Sequence, residues 1–247
     1  MRENAEENWG SSTRKSTQRN VLHENVSNRR RCIMTPIEMR NAKFGPIVAK
    51  NLTNRGFEAV YVATKEEALA QALAWIPADA VVAWGGSVSA QQIGLMDEVK
   101  SGKYKVIDRD KAANPAEKVE LMRQSLLCDV YLTGSNAISQ DGQLVNVDGN
   151  GNRVAAITYG PKNVIVVAGM NKVVPTVEDA LTRARTEAAP INMQRFVNEN
   201  TSTVCAKTGM CGNCNSPDCI CNDIVITRRC KPAGRIKVVL VGEELGF

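Results

Sequence analysis

Three apolar runs constrain the fold of this chain more than anything else in it: "AVVAWGG", "CDVYLTG" and "NVIVVAG". Each is too short to be a helix, is apolar on consecutive positions rather than alternate ones, and stops at glycine. That is the pattern of strands buried on both faces of a parallel sheet. The stretches between them carry helical spacing and helix starts. Thr35 precedes Pro36, Thr64 precedes "KEEALAQALAW", Asn114 precedes Pro115 and Thr176 precedes "VEDALTRARTEAAPINMQRF". A hydroxyl or amide side chain followed by proline or acidic residues is a helix N-terminus. Strand and helix alternate from about residue 57 to 190. The expected fold class is therefore α/β, a mostly parallel sheet covered on both faces.

Several local features refine this reading. Gly45-Pro46 predicts a kink or a break within the helix starting at Thr35, and Pro190 an interruption of the late helix. "QLVNVDGNGNRVAAITYG" reads as an added antiparallel hairpin turning at Asp148-Gly149-Asn150-Gly151. "DIVIT" and "RIKVVLVGEEL" read as late strands. Residues 34–247 form one α/β domain in this reading, with 1–33 a disordered or extraneous tail. Those 33 residues carry seven Lys/Arg and four Glu, so they supply +3 of the net charge of +5. The remainder is close to neutral and aromatic residues are 4% of the chain, which argues against a nucleic-acid footprint. No apolar run approaches the ~18–20 residues of a membrane span, and the first thirty residues lack the ~7–15-residue apolar core of a secretory signal. A cytoplasmic, reducing location is expected.

The sole histidine, His23, lies in the tail. Chemistry in the body must then rely on carboxylates, lysine, cysteine, backbone amides or a cofactor. In open α/β sheets ligands sit beyond the carboxyl ends of the strands. There the sequence places Gly85, Gly86 and Ser87; Gly134, Ser135, Asn136 and, further on, Asp141; and Asn171 with Lys172. These residues are the candidate rim for a small anionic metabolite: glycines admit close backbone approach, and Lys172 pairs with an anion or, when desolvated, serves as acid or base.

A second candidate site is "CAKTGMCGNCNSPDCICN", with five cysteines among turn-forming residues. Cys205, Cys211 and Cys214 follow C-x₅-C-x₂-C, and Cys221 supplies a fourth sulfur, leaving Cys219 in surplus. In a reducing compartment such clusters are metal ligands or redox groups more often than disulfides. A compact run from one loop favours an iron–sulfur cluster, of the four-iron type, over zinc, which more usually joins two separated CxxC knuckles. Zinc, and a Cys214–Cys219 or Cys219–Cys221 redox pair, stay open. Cys32, Cys128 and Cys230 read as isolated thiols, Cys128 as plain core.

The strings "TGSNAISQDGQLVNVDGNGNRVAAITYGPKNVIVVAGMNKVVP", "CAKTGMCGNC" and "RIKVVLVGEELGF" resemble the LUD (lactate-utilisation) domain family over about residues 35–247. The resemblance implies a three-layer, Rossmann-like fold shared with ribose-5-phosphate isomerase, glucosamine-6-phosphate deaminase and CoA transferases. It implies a role near oxidation of lactate or a related organic acid, beside iron–sulfur or flavin redox partner proteins. The position of Cys219 is commonly basic in that family, which supports Cys205, Cys211, Cys214 and Cys221 as the ligand set. It carries over no catalytic residue. An enzyme or a binding module for a phosphorylated or CoA-linked small molecule, with a purely structural metal loop, is the alternative.

Overall fold

The structure is a computed structural model that describes residues 34–247. The reading of residues 1–33 as a tail, together with His23 and Cys32, lies outside the described residues.

The described residues open with α1 (Pro36–Asn54), β1 (Glu58–Val62), α2 (Lys65–Ala74), β2 (Val81–Trp84), the short helices α3 (Val88–Gln92) and α4 (Leu95–Lys100), and β3 (Lys105–Ile107). It continues through α5 (Pro115–Gln124), β4 (Val130–Thr133), β5 (Ala137–Ser139), β6 (Leu144–Asp148), α6 (Asn152–Tyr159) and β7 (Asn163–Gly169). Last come β8 (Val173–Val174), α7 (Val177–Arg183), α8 (Ala189–Met193), α9 (Val204–Thr208), β9 (Asp223–Thr227) and β10 (Ile236–Val241). Thr35, Thr64 and Thr176 each accept from the backbone three residues on, and the Glu or Asp there reaches back to complete a capping box.

Six strands form one parallel sheet in the order β1-β10-β7-β4-β2-β3. Alternation along the central strands sorts their side chains into two cores. Val164, Val166 and Ala168 of β7, with Val238 and Leu240 of β10, pack against Val48 and Leu52 of α1 and Ala156 and Ile157 of α6. Ile165, Val167, Val239 and Val241 face the other way, onto Ala68 and Ala72 of α2, Ala90 of α3 and Leu95 and Val99 of α4. Helix, sheet and helix make three layers, and the apolar runs have no polar alternation because both faces are covered.

A second, mixed sheet has the order β8-β5-β6-β9. Its β5–β6 hairpin is antiparallel, with Ala137 opposite Val145. The hairpin expected at 143–160 is thereby corrected. Its first strand is β6, but residues 152–159 are helix α6, and β6 pairs with β5 and β9 instead. Asp148 Oδ1 accepts the backbone N–H groups of Asn150 and Gly151, both at 3.1 Å, and Gly151 at φ 72° starts the helix. Val154 and Ile157, three apart, are buried, which is helical and not strand spacing. The true hairpin turns at Gly142, φ 92°, where a Cβ would stand 2.7 Å from the backbone of Asn51 and Leu52.

Of the kink or break expected at Gly45-Pro46, the break does not occur: α1 runs through Pro46 as one helix. Pro46 and Ala42, whose carbonyl loses its partner, are both on the solvent side, so water can take the place of the missing bond. On the inner side Gly45 allows the ring of Tyr61 to press against the helix; a Cβ would lie 2.0 Å from it. Near Pro190 the interruption takes the form of a π turn, Ala184–Ala188, between α7 and α8.

Candidate functional site: a basic cleft and a thiol-lined cavity

A cleft of about 330 Å³ opens at the carboxyl ends of β2, β4 and β7. That volume lies within the roughly 300–1,000 Å³ range of small-molecule sites. Gly85, Gly86 and Ser87 line it from the turn after β2, Gly134, Ser135 and Asn136 from the turn after β4, and Lys172 from the turn after β7. The turns are closely fitted. A Cβ on Gly85 would stand 2.9 Å from Arg153 Cδ and 3.0 Å from Tyr131 Oη, and one on Gly134 3.0 Å from Ser87 Oγ. Glycine here serves close approach, since neither residue has a positive φ.

Two residues expected on this rim lie elsewhere. Asp141 sits at the β5–β6 turn, ion-paired to Arg55 and bonded to Ser139, with 52% of its side chain exposed. The connection from β4 enters the second sheet and carries Asp141 away from the sheet end. Asn171 follows β7, but its side chain accepts from Leu245 N at 3.1 Å and donates to Leu245 O at 3.5 Å, tying down the closing segment.

The polar groups facing the cleft are mostly committed to the fold. Ser87 Oγ caps α3 by accepting from Ala90 N. Ser135 Oγ donates to Ala137 O at 2.9 Å. Asn136 Oδ1 accepts from Val147 N and from Arg153 Nη2, both at 2.9 Å. Arg153 also donates to Asn146 Oδ1 at 2.6 Å and Val147 O at 2.7 Å, and its Nε lies 3.4 Å from Asp148 Oδ2. Arg153 is therefore a fixed cation at the cleft wall.

Lys172 is 5% exposed, and its Nζ donates to Ser89 Oγ at 3.1 Å and Ser135 O at 3.2 Å. No carboxylate pairs with it among the described residues. Burial, and after it the charges of Arg183 and Arg153, bring its pKa down to about 7. Burial pushes the Tyr131 phenol up to about 12, so it remains protonated.

The sequence reading did not include Arg109, Arg153, Lys100, Lys118 or Arg195, which line the same cleft. They come from α4, α5, α6, the segment after β3 and the segment after α8, and only the fold gathers them. Arg109 Nε is buried with no hydrogen-bond partner, as is Asp148 Oδ2. Asp110 and Asp148 are the carboxylates of the wall, so cations outnumber anions there and the cleft is electropositive.

The thiol-rich segment builds a second cavity, of about 140 Å³, lined by Cys205, Cys211, Cys214, Cys219 and Cys221 with Arg185, Met193 and Ile220. The seven described cysteines are free thiols. Hydrogen bonds from the backbone of Ser216 and Val204 lower the Cys214 pKa, whereas burial, then the neighbouring Cys219, pushes Cys221 up to about 12. Among the described residues no three Cys, His, Asp or Glu side chains converge closely enough to hold a metal ion. The sulfurs share a cavity without closing on one centre. Ile220 lines both cavities, and Gly149 packs on it. Cys128 is buried in the main core, as read from the sequence.

Fold and cleft together define a three-layer, Rossmann-like α/β protein with a positively charged pocket at its strand ends. More particularly, the chain belongs to the LUD domain family, whose model matches residues 46–241. Among solved structures it is similar to a DUF162 family protein from Deinococcus radiodurans, with 14% identity, TM-score 0.45, and coverage of 81% of this chain and 98% of that one. It is also similar to a D-ribose-5-phosphate isomerase in complex with phospho-erythronic acid, at 19% identity and TM-score 0.30, over 44% of this chain and 53% of that chain. Ribose 5-phosphate isomerase A from Neisseria gonorrhoeae shows 15% identity and TM-score 0.30, over 46% and 54%. No curated protein matches the chain. No helix among the described residues is long and apolar enough to cross a membrane.

Proposed function

We propose that this LUD-domain protein binds a small anionic metabolite in the basic cleft and takes part in oxidation of lactate or a related organic acid in a reducing, cytoplasmic compartment. The observation that carries the reading is Lys172. A buried amine without a carboxylate partner, beside Arg153, is costly to keep and is relieved by an anion. Arg109, with an unpartnered buried Nε, is suited to a second oxygen of the same ligand. Lys172, close to half-protonated near neutrality, would give or take a proton at the bound molecule. Arg153, its N–H groups already given to the cleft wall, would attract the anionic end by charge, and the glycine turns would let the ligand approach the backbone. Kinship with the ribose-5-phosphate isomerase, glucosamine-6-phosphate deaminase and CoA-transferase folds is part of the same proposal.

Cys205, Cys211, Cys214 and Cys221 would hold an iron–sulfur cluster, of the four-iron type. Their common cavity and soft donor chemistry suit sulfur-loving metals, and zinc is the alternative occupant. A bound cluster would supply one-electron transfer to iron–sulfur or flavin partner proteins.

The test is calorimetry of the purified chain with lactate, pyruvate, sugar phosphates and acyl-CoA compounds. One site per chain for a small carboxylate is expected, weakened about tenfold or more in Arg109→Gln through loss of a charge-assisted hydrogen bond. Tight binding of sugar phosphates or acyl-CoA, with none of small carboxylates, would favour the second reading, a phosphorylated or CoA-linked ligand. That reading draws on the number of cations around the cleft.

A further inference from the structure

We propose that Lys172 forms a covalent imine with the carbonyl group of a small aldehyde or keto acid held in the cleft. The inference rests on the reading that the cleft takes a small anion, and it assigns that anion a second functional group.

The surroundings of Nζ are those of a nucleophile more than of a structural cation. Structural lysines that are buried are paired with carboxylates. Here the two partners are neutral, a hydroxyl and a backbone carbonyl, both acceptors. A neutral amine can satisfy both with its two N–H bonds and still have its lone pair unengaged. Arg183 and Arg153 disfavour the ammonium form, and burial does so more strongly. The closing segment roofs the group: a Cβ on Gly246 would lie 3.0 Å from Nζ, so the backbone can pass this close only as glycine. Imine chemistry gains from such a water-poor setting, since hydrolysis competes with it.

The hydroxyl and carboxylate nucleophiles of the cleft are engaged, and of its other lysines Lys100 lies by Asp108 and Asp110 while Lys118 is exposed to solvent. Ser87 Oγ caps a helix, Ser135 Oγ is bonded to a backbone carbonyl and Asp148 Oδ1 holds two backbone N–H groups. The loop cysteines line the other cavity. Arg109, which lines the same cleft as Lys172 and has a buried Nε without a hydrogen-bond partner, is the donor for the carboxylate of a ligand whose carbonyl carbon meets Nζ, while Arg153, its N–H groups given to the wall, adds positive charge. In the step itself the lone pair adds to the carbonyl carbon. The carbonyl oxygen takes one proton from the amine and one from solvent and leaves as water. The product is a protonated C=N bond between Lys172 and the acid, with no oxidant or reductant required.

The experiment is reductive trapping on the full chain. The protein is mixed with pyruvate or glyoxylate near pH 7.5, reduced with borohydride, and mapped by peptide mass spectrometry. Lactate, which has no carbonyl, serves as competitor, and calorimetry with each compound runs in parallel. The expected result is one adduct per chain on Lys172, suppressed by excess lactate, absent from Lys172→Arg and Lys172→Met, and about tenfold weaker in Arg109→Gln, which keeps the amine and loses an anion contact. Labelling of Lys172 no greater than that of exposed lysines such as Lys103 overturns the imine. If pyruvate then still binds at one site per chain, the anion cleft stands without covalent chemistry. If no carboxylate or phosphate binds at all, both readings fall.

Discussion

The Nζ of Lys172 lies 3.1 Å from the hydroxyl of Ser89, a bond that joins the turn after β7 to helix α3. It holds a buried amine against a neutral acceptor, so proton loss leaves no orphaned counter-charge. The pH behaviour of the fold follows from this. The folded pKa, about 7, is below the ordinary lysine value of 10.5. Between the two the unfolded chain binds more protons, so stability rises with pH across that window, by at most about 1.4 kcal/mol per pH step. Below about pH 7 both states are protonated and the burial penalty is fully present. In Lys172→Met this rise should vanish, and the variant should be the more stable protein at pH 7. Urea melts of ligand-free protein at pH 6 to 10 measure both effects, and parallel curves for the two proteins would refute the assignment.

Gly85→Ala should disturb fold and cleft together. The added carbon meets Arg153 Cδ at 2.9 Å, and Arg153 cannot swing aside without giving up bonds to Asn136, Asn146 and Val147. A loss of about 1–3 kcal/mol is expected, with weakened anion binding. Denaturant unfolding and calorimetry check the two parts separately.

Asp141→Asn should do little to either. Its pairing with Arg55 is at the surface, with half the carboxylate side chain exposed, so the change should stay below about 1 kcal/mol. Ligand affinity should equal that of the unmodified protein. An affinity loss comparable to that of Arg109→Gln would place Asp141 back on the rim.

Anaerobically purified protein should be brown and contain iron. Cys214→Ser should abolish the visible absorbance, and Cys219→Ser should retain it, because Cys219 is surplus to the four-sulfur set. Iron-free, colourless protein that retains zinc would shift the loop to a structural role, read directly by metal analysis.

Much of this was legible in the sequence because it is local. Thr35, Thr64 and Thr176 cap their helices as read, since a cap is decided within four residues. The glycine turns after β2 and β4 and Lys172 meet at one cleft, because parallel strands place successive carboxyl ends on one edge. The second half of the supposed hairpin was misread because Asp148-Gly149-Asn150-Gly151 suits a strand turn and a helix start alike. Which one forms depends on whether Ala156 and Ile157 find a sheet face to bury against. Asp141 was misplaced because proximity to Asn136 in sequence says nothing about a chain that leaves for a second sheet.

By itself the sequence determined the α/β class, the helix starts, the glycine turns at the strand ends and the clustering of five thiols. Each follows from hydrophobic period, caps or spacing along a few residues. Only the tertiary structure decided which distant cations share the cleft, that Lys172 is buried among neutral acceptors, and that Asp141 and Asn171 serve the fold elsewhere. Charge, burial and reactivity depend on what surrounds a side chain in space. For Lys172 those surroundings come from α3, from the turn after β4, from Arg153 and Arg183, and from the last residues of the chain.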